Sequence, residues 1–294
     1  MSFYTRIHYP FYEANKTFKA EEWAIRKGEN NALFKFGNKY FYYDHSNLEF
    51  REWWIQRAIK MLDNENIDGI FIDAICKTTK DVPEGNGELY IETANELRER
   101  LPPGKLLVGN ALRNIETGEP GGDGNVNHLK YLDGSYLERW DFSPTDIVKS
   151  MELMSAALKE GKIIMLNAQP TCGYPLSKKR ELEKGIDPMS LEERYDYLET
   201  KIGLPLAIFL LIVEPYAYIS YHYGVDARNK AAFDCNRFNE LKSKLGEAKG
   251  PYVKDGEFSF SREFEYIKVW VNLETKEYKF ETYGSERLLE KDEL

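Results

Sequence analysis

Cysteine is scarce in this sequence, with three among 294 residues. Cys76, Cys172 and Cys235 lie far apart, and none of them has the Cys-x-x-Cys spacing of zinc ribbons and redox motifs. A disulfide scaffold and a zinc ribbon are therefore excluded, while a single bridge between two of the three stays open.

Histidine is also rare, and the usual motifs of nucleotide and acyl chemistry are missing. The four histidines, at positions 8, 45, 128 and 222, lack metal-ligand spacing. The glycine-rich residues 118–125 have no following Gly-Lys-Ser/Thr, which argues against a phosphate-binding loop. We interpret them as a mobile loop that covers the active site. A Gly-x-Ser-x-Gly elbow is absent, which disfavours an esterase. The sequence predicts no cofactor and no metal.

Excess positive charge and long apolar runs are both lacking. The 40 Lys and Arg against 49 Asp and Glu give a net charge of −9, the wrong sign for binding phosphates. The most apolar stretch, residues 204–213, contains Pro205 and precedes Glu214, so it falls short of the roughly 20 residues that cross a bilayer. We expect neither a nucleic-acid partner nor a membrane partner.

The N-terminal and C-terminal residues favour different cellular locations. The first residues lack the basic and apolar segments of a signal peptide. The last four, 291–294, spell Lys-Asp-Glu-Leu, a retention signal of the endoplasmic reticulum that favours a lumenal or secreted location. A charged final helical turn is the structural alternative.

What the sequence has in quantity is apolar segments alternating with amphipathic ones. Six short apolar segments end in polar residues and alternate with stretches of helical spacing: 5–9, 69–73, 106–110, 134–138, 162–167 and 216–221. This pattern predicts an α/β fold with a parallel sheet covered by helices. Six strands are fewer than the eight of a (β/α)8 barrel, so either two are missing from the start or the sheet is open and doubly wound.

The pattern changes towards the C-terminus. Residues 258–261, 266–271 and 277–280 alternate between apolar and polar with period two, which is typical of antiparallel strands. We therefore predict two regions: a barrel-like domain over residues 1–245 and a small antiparallel β appendage packed on it over residues 246–294.

Two of the six predicted strands end in a carboxylate, Asp73 and Glu138. The carboxyl ends of parallel strands gather on one face, so both side chains are expected there. Two carboxylates are the minimum for glycoside hydrolysis, where one protonates the leaving oxygen and the other attacks or activates water. Structural alternatives stay open: Asp73 as a helix cap, and Glu138 as an ion-pair partner of Arg139 or Arg113.

Aromatic, amide and basic side chains also fall near the predicted strand ends. Aromatic faces stack on sugar rings and amides bond sugar hydroxyls, although many of the 20 tyrosines, 16 phenylalanines and 5 tryptophans must belong to the core. The candidate substrate-binding residues are His8, Tyr9, Asn110, Arg139, Trp140, Asn167, Gln169, Tyr216, Tyr221 and His222.

Three segments carry a family resemblance: WAIR at 23–26, DHSNLEFREWW at 44–54 and DGIFIDA at 68–74. They resemble hypothetical glycosyl hydrolase family 15, and the pattern is similar to barrels related to endo-α-1,4-polygalactosaminidases and α-galactosidases. The resemblance implies a (β/α)8 barrel with acids ending its fourth and sixth strands. Residues 5–9 then become the third strand, Asp73 the fourth-strand acid and Glu138 the sixth-strand acid.

This sequence departs from the family pattern in one respect. Members of such families carry two further β/α units before the strand that corresponds to residues 5–9. We therefore expect an N-terminally incomplete barrel of about six strands, whose exposed edges a missing segment or a second copy would cover. The predicted function is hydrolysis of an O-glycosidic bond in an oligo- or polysaccharide. The alternatives are a non-catalytic carbohydrate-binding barrel, and a lyase or isomerase with His8 or His222 as base.

Overall fold

The computed structural model describes residues 2–4, 15–36, 40–73, 75, 86–112, 129–138, 140, 143–170, 190–222, 237–242 and 244–283. Contacts within the chain divide it into two compact units, Met1–Leu137 and Glu138–Leu294. Among the residues that the structure describes, no helix has the length and apolarity needed to cross a membrane.

The first unit combines parallel strands with two long helices. Its elements, in chain order, are β1 (Ser2–Tyr4), α1 (Ala20–Trp23), β2 (Arg26–Lys27), β3 (Ala32–Leu33), β4 (Lys35–Phe36), β5 (Tyr40–Phe41), α2 (Leu48–Lys60), β6 (Gly69–Asp73), α3 (Asn86–Arg100), β7 (Leu106–Gly109) and β8 (Gly134–Leu137). Strands β1, β6, β7 and β8 pair in parallel in that order. Strand β2 pairs with β3, and β4 with β5, as short antiparallel ribbons.

Helices α2 and α3 cover one face of this sheet. The side chain of Asn47 caps α2 by accepting a hydrogen bond from Phe50 N at 3.0 Å. Phe50 and Trp54 on α2 pack in one buried cluster with Ile70 and Ile72 of β6. Successive side chains of a strand point to opposite faces, so the residues between these isoleucines face away from the helices.

The second unit contains a parallel strand pair, three helices and an antiparallel sheet. Its elements are α4 (Pro144–Lys159), β9 (Ile163–Ala168), α5 (Leu191–Lys201), α6 (Gly203–Ile212), β10 (Ala217–Tyr221), β11 (Val253–Lys254), β12 (Ser259–Glu263), β13 (Ile267–Asn272) and β14 (Glu277–Thr282). Strands β9 and β10 are parallel, whereas β11 to β14 form an antiparallel meander in chain order.

A buried arginine joins the antiparallel sheet to helix α6. Arg262 on β12 is 3% exposed. Its guanidinium donates to Leu211 O at 3.0 Å, Val213 O at 2.7 Å and a Glu214 carboxylate oxygen at 2.6 Å. A planar guanidinium has five N–H donors, so one side chain can satisfy the carbonyls at the end of α6 and its own charge together.

The structure is a mixed α/β fold that contains predicted parallel strands and the predicted C-terminal antiparallel region. Strands β6 to β10 match the predicted segments at 69–73, 106–110, 134–138, 162–167 and 216–221 within about two residues. The predicted strand at 5–9 lies outside the described residues, and β1 occupies Ser2–Tyr4 instead. The parallel strands are four in the first unit and two in the second, and the described residues show no complete eight-stranded barrel.

Gly203 provides a test of how the antiparallel sheet packs on α6. A Cβ atom at this position would overlap the phenol ring of Tyr278 on β14. We expect Gly203→Ala to lower the free energy of unfolding by about 1 kcal/mol, the lower end of the range for overpacking, because the Cβ displaces only the end of an exposed Tyr278 side chain. Chemical denaturation measures this change.

Two controls make the Gly203 experiment specific. Gly250→Ala adds a Cβ with nothing within 4 Å and should leave stability nearly unchanged. In a Tyr278→Ala background the clash is removed, so Gly203→Ala should become neutral or stabilising through its better helix propensity. An equal loss in both backgrounds would contradict the proposed contact.

Glu52 provides a pH-dependent test of the packing between α2 and α3. Arg100 holds Glu52 through two hydrogen bonds, of 2.7 and 2.9 Å, and together with Gln56 lowers the pKa of this carboxyl to about 2. A folded pKa below the unfolded value stabilises the fold above about pH 4.5, and the contribution is lost as pH falls towards 2. Because the pair is exposed, its contribution is about 0.2–1 kcal/mol.

We therefore expect Glu52→Gln to destabilise the protein slightly at pH 7 and to converge with the wild type as pH falls from 4.5 to 2. Unfolding measured across this range checks the window. Glu29→Gln, in an exposed turn, should track the wild type throughout. A Glu52→Gln difference that grows on acidification would contradict the sign.

Candidate active site

Asp73 lies at the carboxyl end of β6 and contacts an amide from the neighbouring strand. The Nδ2 atom of Asn110, which follows β7, donates to Asp73 Oδ1 at 3.2 Å. The backbone N–H of Asn110 donates to Ile72 O at 2.9 Å, which continues the pairing of β6 and β7 beyond the last strand residue. The sequence-predicted acid and the sequence-predicted amide are thus brought together by the register of the two strands.

The face that carries Asp73 is opposite to the helix-packed core. Ile72 is fully buried against α2 and α3, and Asp73, the next residue, points to the other side. Phe71 lies two residues before Asp73, and its ring packs edge-on against Tyr136 of β8 with centroids 5.9 Å apart. This face therefore carries aromatic rings and polar groups, and Asp73 lies at the carboxyl end of its strand, where parallel α/β folds bind their ligands.

Ser135 supports the site, and sequence reasoning missed it. This fully buried residue of β8 accepts hydrogen bonds at Oγ from the backbone N–H groups of Ala111 and Leu112, at 3.2 and 2.8 Å. The chain that follows Asn110 is therefore held by side-chain contacts as well as by the strand ladder. A small hydroxyl residue within an apolar strand is the only signal the sequence offers for such a role.

Another carboxylate of the first unit shows what a structural acid looks like. Asp133 lies just before β8, at the opposite end of the strands, and accepts from Arg98 Nη1 at 2.6 Å and from Leu107 N at 2.7 Å. A cation and a backbone donor satisfy it there. Asp73 lies at the carboxyl end of the sheet, where ligands bind, and accepts a hydrogen bond from the neutral amide of Asn110.

Glu138 is the residue that follows β8 directly in the chain, and it is partly exposed. It therefore occupies the strand-terminal position that the sequence predicts. The separation of its carboxyl group from that of Asp73 is the quantity that distinguishes retaining from inverting hydrolysis.

In the second unit, Trp140 fixes the end of β9. Its fully buried indole donates from Nε1 to Asn167 O at 2.8 Å, and its own carbonyl accepts from Ser150 Oγ at 3.3 Å. Trp140 was predicted to bind substrate, but its ring is enclosed and its polar atom is used within the protein. The contacts therefore indicate a residue that positions Asn167.

The amides of Asn167 and Gln169 are both 2% exposed. They lie at and just beyond the end of β9, where parallel strands direct ligand-binding residues. Asn167 pairs in register with Ser220 of β10, so the two side chains share a face. Tyr221 shares the other face with Ala168.

The structure places the remaining candidates differently. Tyr221 is fully buried and its hydroxyl donates to Leu198 O on α5 at 3.0 Å, which is a core position. Tyr216 is 56% exposed but lies before β10, at the end of the strand opposite to Tyr221. His222 follows β10 and donates its backbone N–H to Ala168 O at 3.3 Å.

Several predicted features lie outside the described residues. These are His8, Tyr9, Arg139, the glycine-rich residues 118–125 and the tail at 291–294. Across the described part of the chain, no group of three or more His, Cys, Asp or Glu side chains has an arrangement that would hold a metal ion.

Comparison with solved structures finds distant glycoside hydrolases. Aspergillus fumigatus Ega3, in complex with galactosamine, is 13% identical with a TM-score of 0.37, and the match covers 58% of this chain and 60% of that chain. The glycoside hydrolase domain of PelA from Pseudomonas aeruginosa is 13% identical with a TM-score of 0.40, covering 66% and 73%. The α-amylase of Geobacillus thermoleovorans, complexed with acarbose, is 12% identical with a TM-score of 0.49, covering 93% and 65%.

The chain thus spans less than two thirds of Ega3. No curated protein matches it. A family model does: the one described as hypothetical glycosyl hydrolase family 15 matches residues 3–268. This match covers most of the chain, including Asp73, Asn110, Glu138 and Asn167. The chain belongs to hypothetical glycosyl hydrolase family 15.

Proposed function

We propose that this protein hydrolyses an O-glycosidic bond in an oligo- or polysaccharide, with Asp73 and Glu138 as its carboxylate pair. The observation that carries the proposal is the hydrogen bond of 3.2 Å between Asn110 Nδ2 and Asp73 Oδ1, on the sheet face opposite to the helices. Membership of a glycosyl hydrolase family supports glycoside hydrolysis as the reaction in which this acid takes part.

Asp73 suits the role of nucleophile or base. A carboxylate that accepts a hydrogen bond from a fixed amide is held in one orientation, which lowers the entropy lost on reaching the transition state. An amide donor carries no charge, so it orients the carboxylate without the strong Coulomb attraction of an arginine. In this role the oriented carboxylate would attack an electrophilic sugar carbon or activate a water molecule.

Glu138 suits the role of general acid. It follows β8 directly, whereas Asp73 is the last residue of β6. Glu138 lies two positions after Tyr136, which shares a face with Phe71. Period-two alternation therefore favours the same face for Glu138. A protonated glutamic acid there would transfer its proton to the glycosidic oxygen as the bond to the leaving sugar breaks.

The stereochemical outcome depends on the distance between the two carboxyl groups. A separation of about 5–5.5 Å leaves room for direct attack and a covalent glycosyl intermediate, with retention. A separation of about 6.5–9.5 Å admits a water molecule between acid and sugar, and gives inversion. Nuclear magnetic resonance of the first-formed anomer distinguishes the two outcomes.

We expect Asp73→Asn and Glu138→Gln each to lower kcat by at least about 100-fold on a glycan that the wild type cleaves. The two variants should differ on 4-nitrophenyl glycosides, because a good leaving group needs no protonation. Glu138→Gln should then recover much of its rate, whereas Asp73→Asn should remain slow. Screening of 4-nitrophenyl glycosides and polysaccharides by reducing-end release provides the measurement.

Glu52→Gln is the matched control, since it removes an exposed carboxylate of α2 and should leave kcat unchanged. Thermal unfolding should show that all three variants fold. Near-normal turnover by both Asp73→Asn and Glu138→Gln would contradict the assignment. Glycan binding with no cleavage of any substrate would favour the non-catalytic carbohydrate-binding alternative.

A further inference from the structure

We propose that Asn167 is a sugar-binding residue whose side-chain amide has no hydrogen bond in the free protein and takes its partners from two adjacent hydroxyl groups of the glycan. This inference rests on the proposed function, and it specifies one contact that the substrate makes. It concerns the second unit alone.

The central observation is a buried amide without partners. The side chain of Asn167 is 2% exposed, and neither Oδ1 nor Nδ2 has a hydrogen-bond partner among the residues that the structure describes. Most buried polar atoms in proteins are hydrogen-bonded, so each exception needs a cause. An amide that is shielded from water and unbonded destabilises the free protein, unless another molecule supplies the bonds.

The backbone of Asn167 is, by contrast, fully engaged. Its carbonyl accepts from Trp140 Nε1 at 2.8 Å, and Trp140 is in turn fixed by Ser150. Parallel pairing with β10 places Asn167 level with Ser220. The amide therefore belongs to a rigidly held residue, and it cannot readily turn to find a partner elsewhere.

The position and surroundings of this amide indicate a ligand contact. Asn167 lies at the carboxyl end of a parallel strand, where ligands of α/β folds bind. Its face of the strand pair is shared by Ser220 and Tyr218, which are both exposed, whereas the opposite face is buried and linked to α5 through Tyr221. The unbonded amide thus lies on the face of β9 and β10 that carries these exposed residues, while its own polar atoms are covered in the free protein.

The chemistry of the amide limits what it can bind. It presents a donor and an acceptor in one plane and carries no charge. Two neighbouring hydroxyls of a sugar match this arrangement, because one can donate to Oδ1 while the other accepts from Nδ2. A carboxylate ligand would match only the donor, and an ammonium group only the acceptor.

Asn167→Leu tests the proposal through stability first. Leucine has a similar shape and no polar atom, so removing an unbonded amide should raise the Tm by about 2–4 °C. Thr93→Val is the matched control in the other unit, because Thr93 is fully buried and its Oγ1 donates to Leu89 O at 2.9 Å. Loss of that satisfied hydroxyl should lower the Tm.

Sugar binding is the second measurement. Glucose, galactose and galactosamine, each added separately at high millimolar concentration, are the probes in a thermal-shift assay. At least one should raise the Tm of the wild type and of Thr93→Val, and that response should vanish in Asn167→Leu and in Asn167→Ala. On a cleaved glycan, Asn167→Leu should raise KM roughly 10- to 100-fold, and kcat should change less.

Three results would overturn the proposal. The first is a Tm for Asn167→Leu that falls as it does for Thr93→Val, which would mean that the amide is satisfied within the free protein. The second is a full sugar response in either Asn167 variant, and the third is a wild type that none of the three sugars stabilises. Failure of the catalytic pair is distinguishable, because active Asp73→Asn and Glu138→Gln variants would leave these measurements of Tm and binding unaffected.

Discussion

The alternation of side chains along β6, β7 and β8 is the constraint on which the first unit depends. Ile70, Ile72 and Leu107 must face α2 and α3, because burial of these side chains is what holds the helices to the sheet. The alternate residues of the same strands must then point to the opposite face of the sheet. A shift of register by one residue would place Asp73 in the core and an isoleucine at the site.

Rigidity at the strand ends comes from hydrogen bonds made by neutral side chains. Ser135 binds two backbone N–H groups after β7, Asn110 binds Asp73, and Trp140 binds the carbonyl of Asn167. Neutral donors and acceptors can be buried without the large desolvation cost of an ion pair. The ion pairs that the structure describes lie elsewhere, as with Arg100 and Glu52 between two helices.

The sequence predicted strand positions well, for a physical reason, whereas the side-chain roles remain predictions. The bounds of a strand depend on local composition. The apolar segment 69–73 with its terminal carboxylate therefore predicts both the strand and the place of Asp73 at its end. Asn47 and Ser143 cap α2 and α4 through their side chains, and both are residue types that favour this position. Trp140 and Tyr221 were expected to meet sugar, yet both are fully buried. An aromatic residue near a strand end suits either a core or a binding site, and tertiary packing decides between them.

Asn110 and Asn167 show how the same residue type takes two roles in similar positions. Each is buried at the carboxyl end of a parallel strand. The neighbouring strand offers Asn110 a carboxylate in register, so its donor is used to orient Asp73. The register partner of Asn167 on β10 is Ser220, which is exposed and makes no hydrogen bond to the Asn167 amide. The strand geometry is alike at the two positions and the register partner differs, so the binding proposed above assigns to a sugar the partner that Asn167 lacks in the free protein.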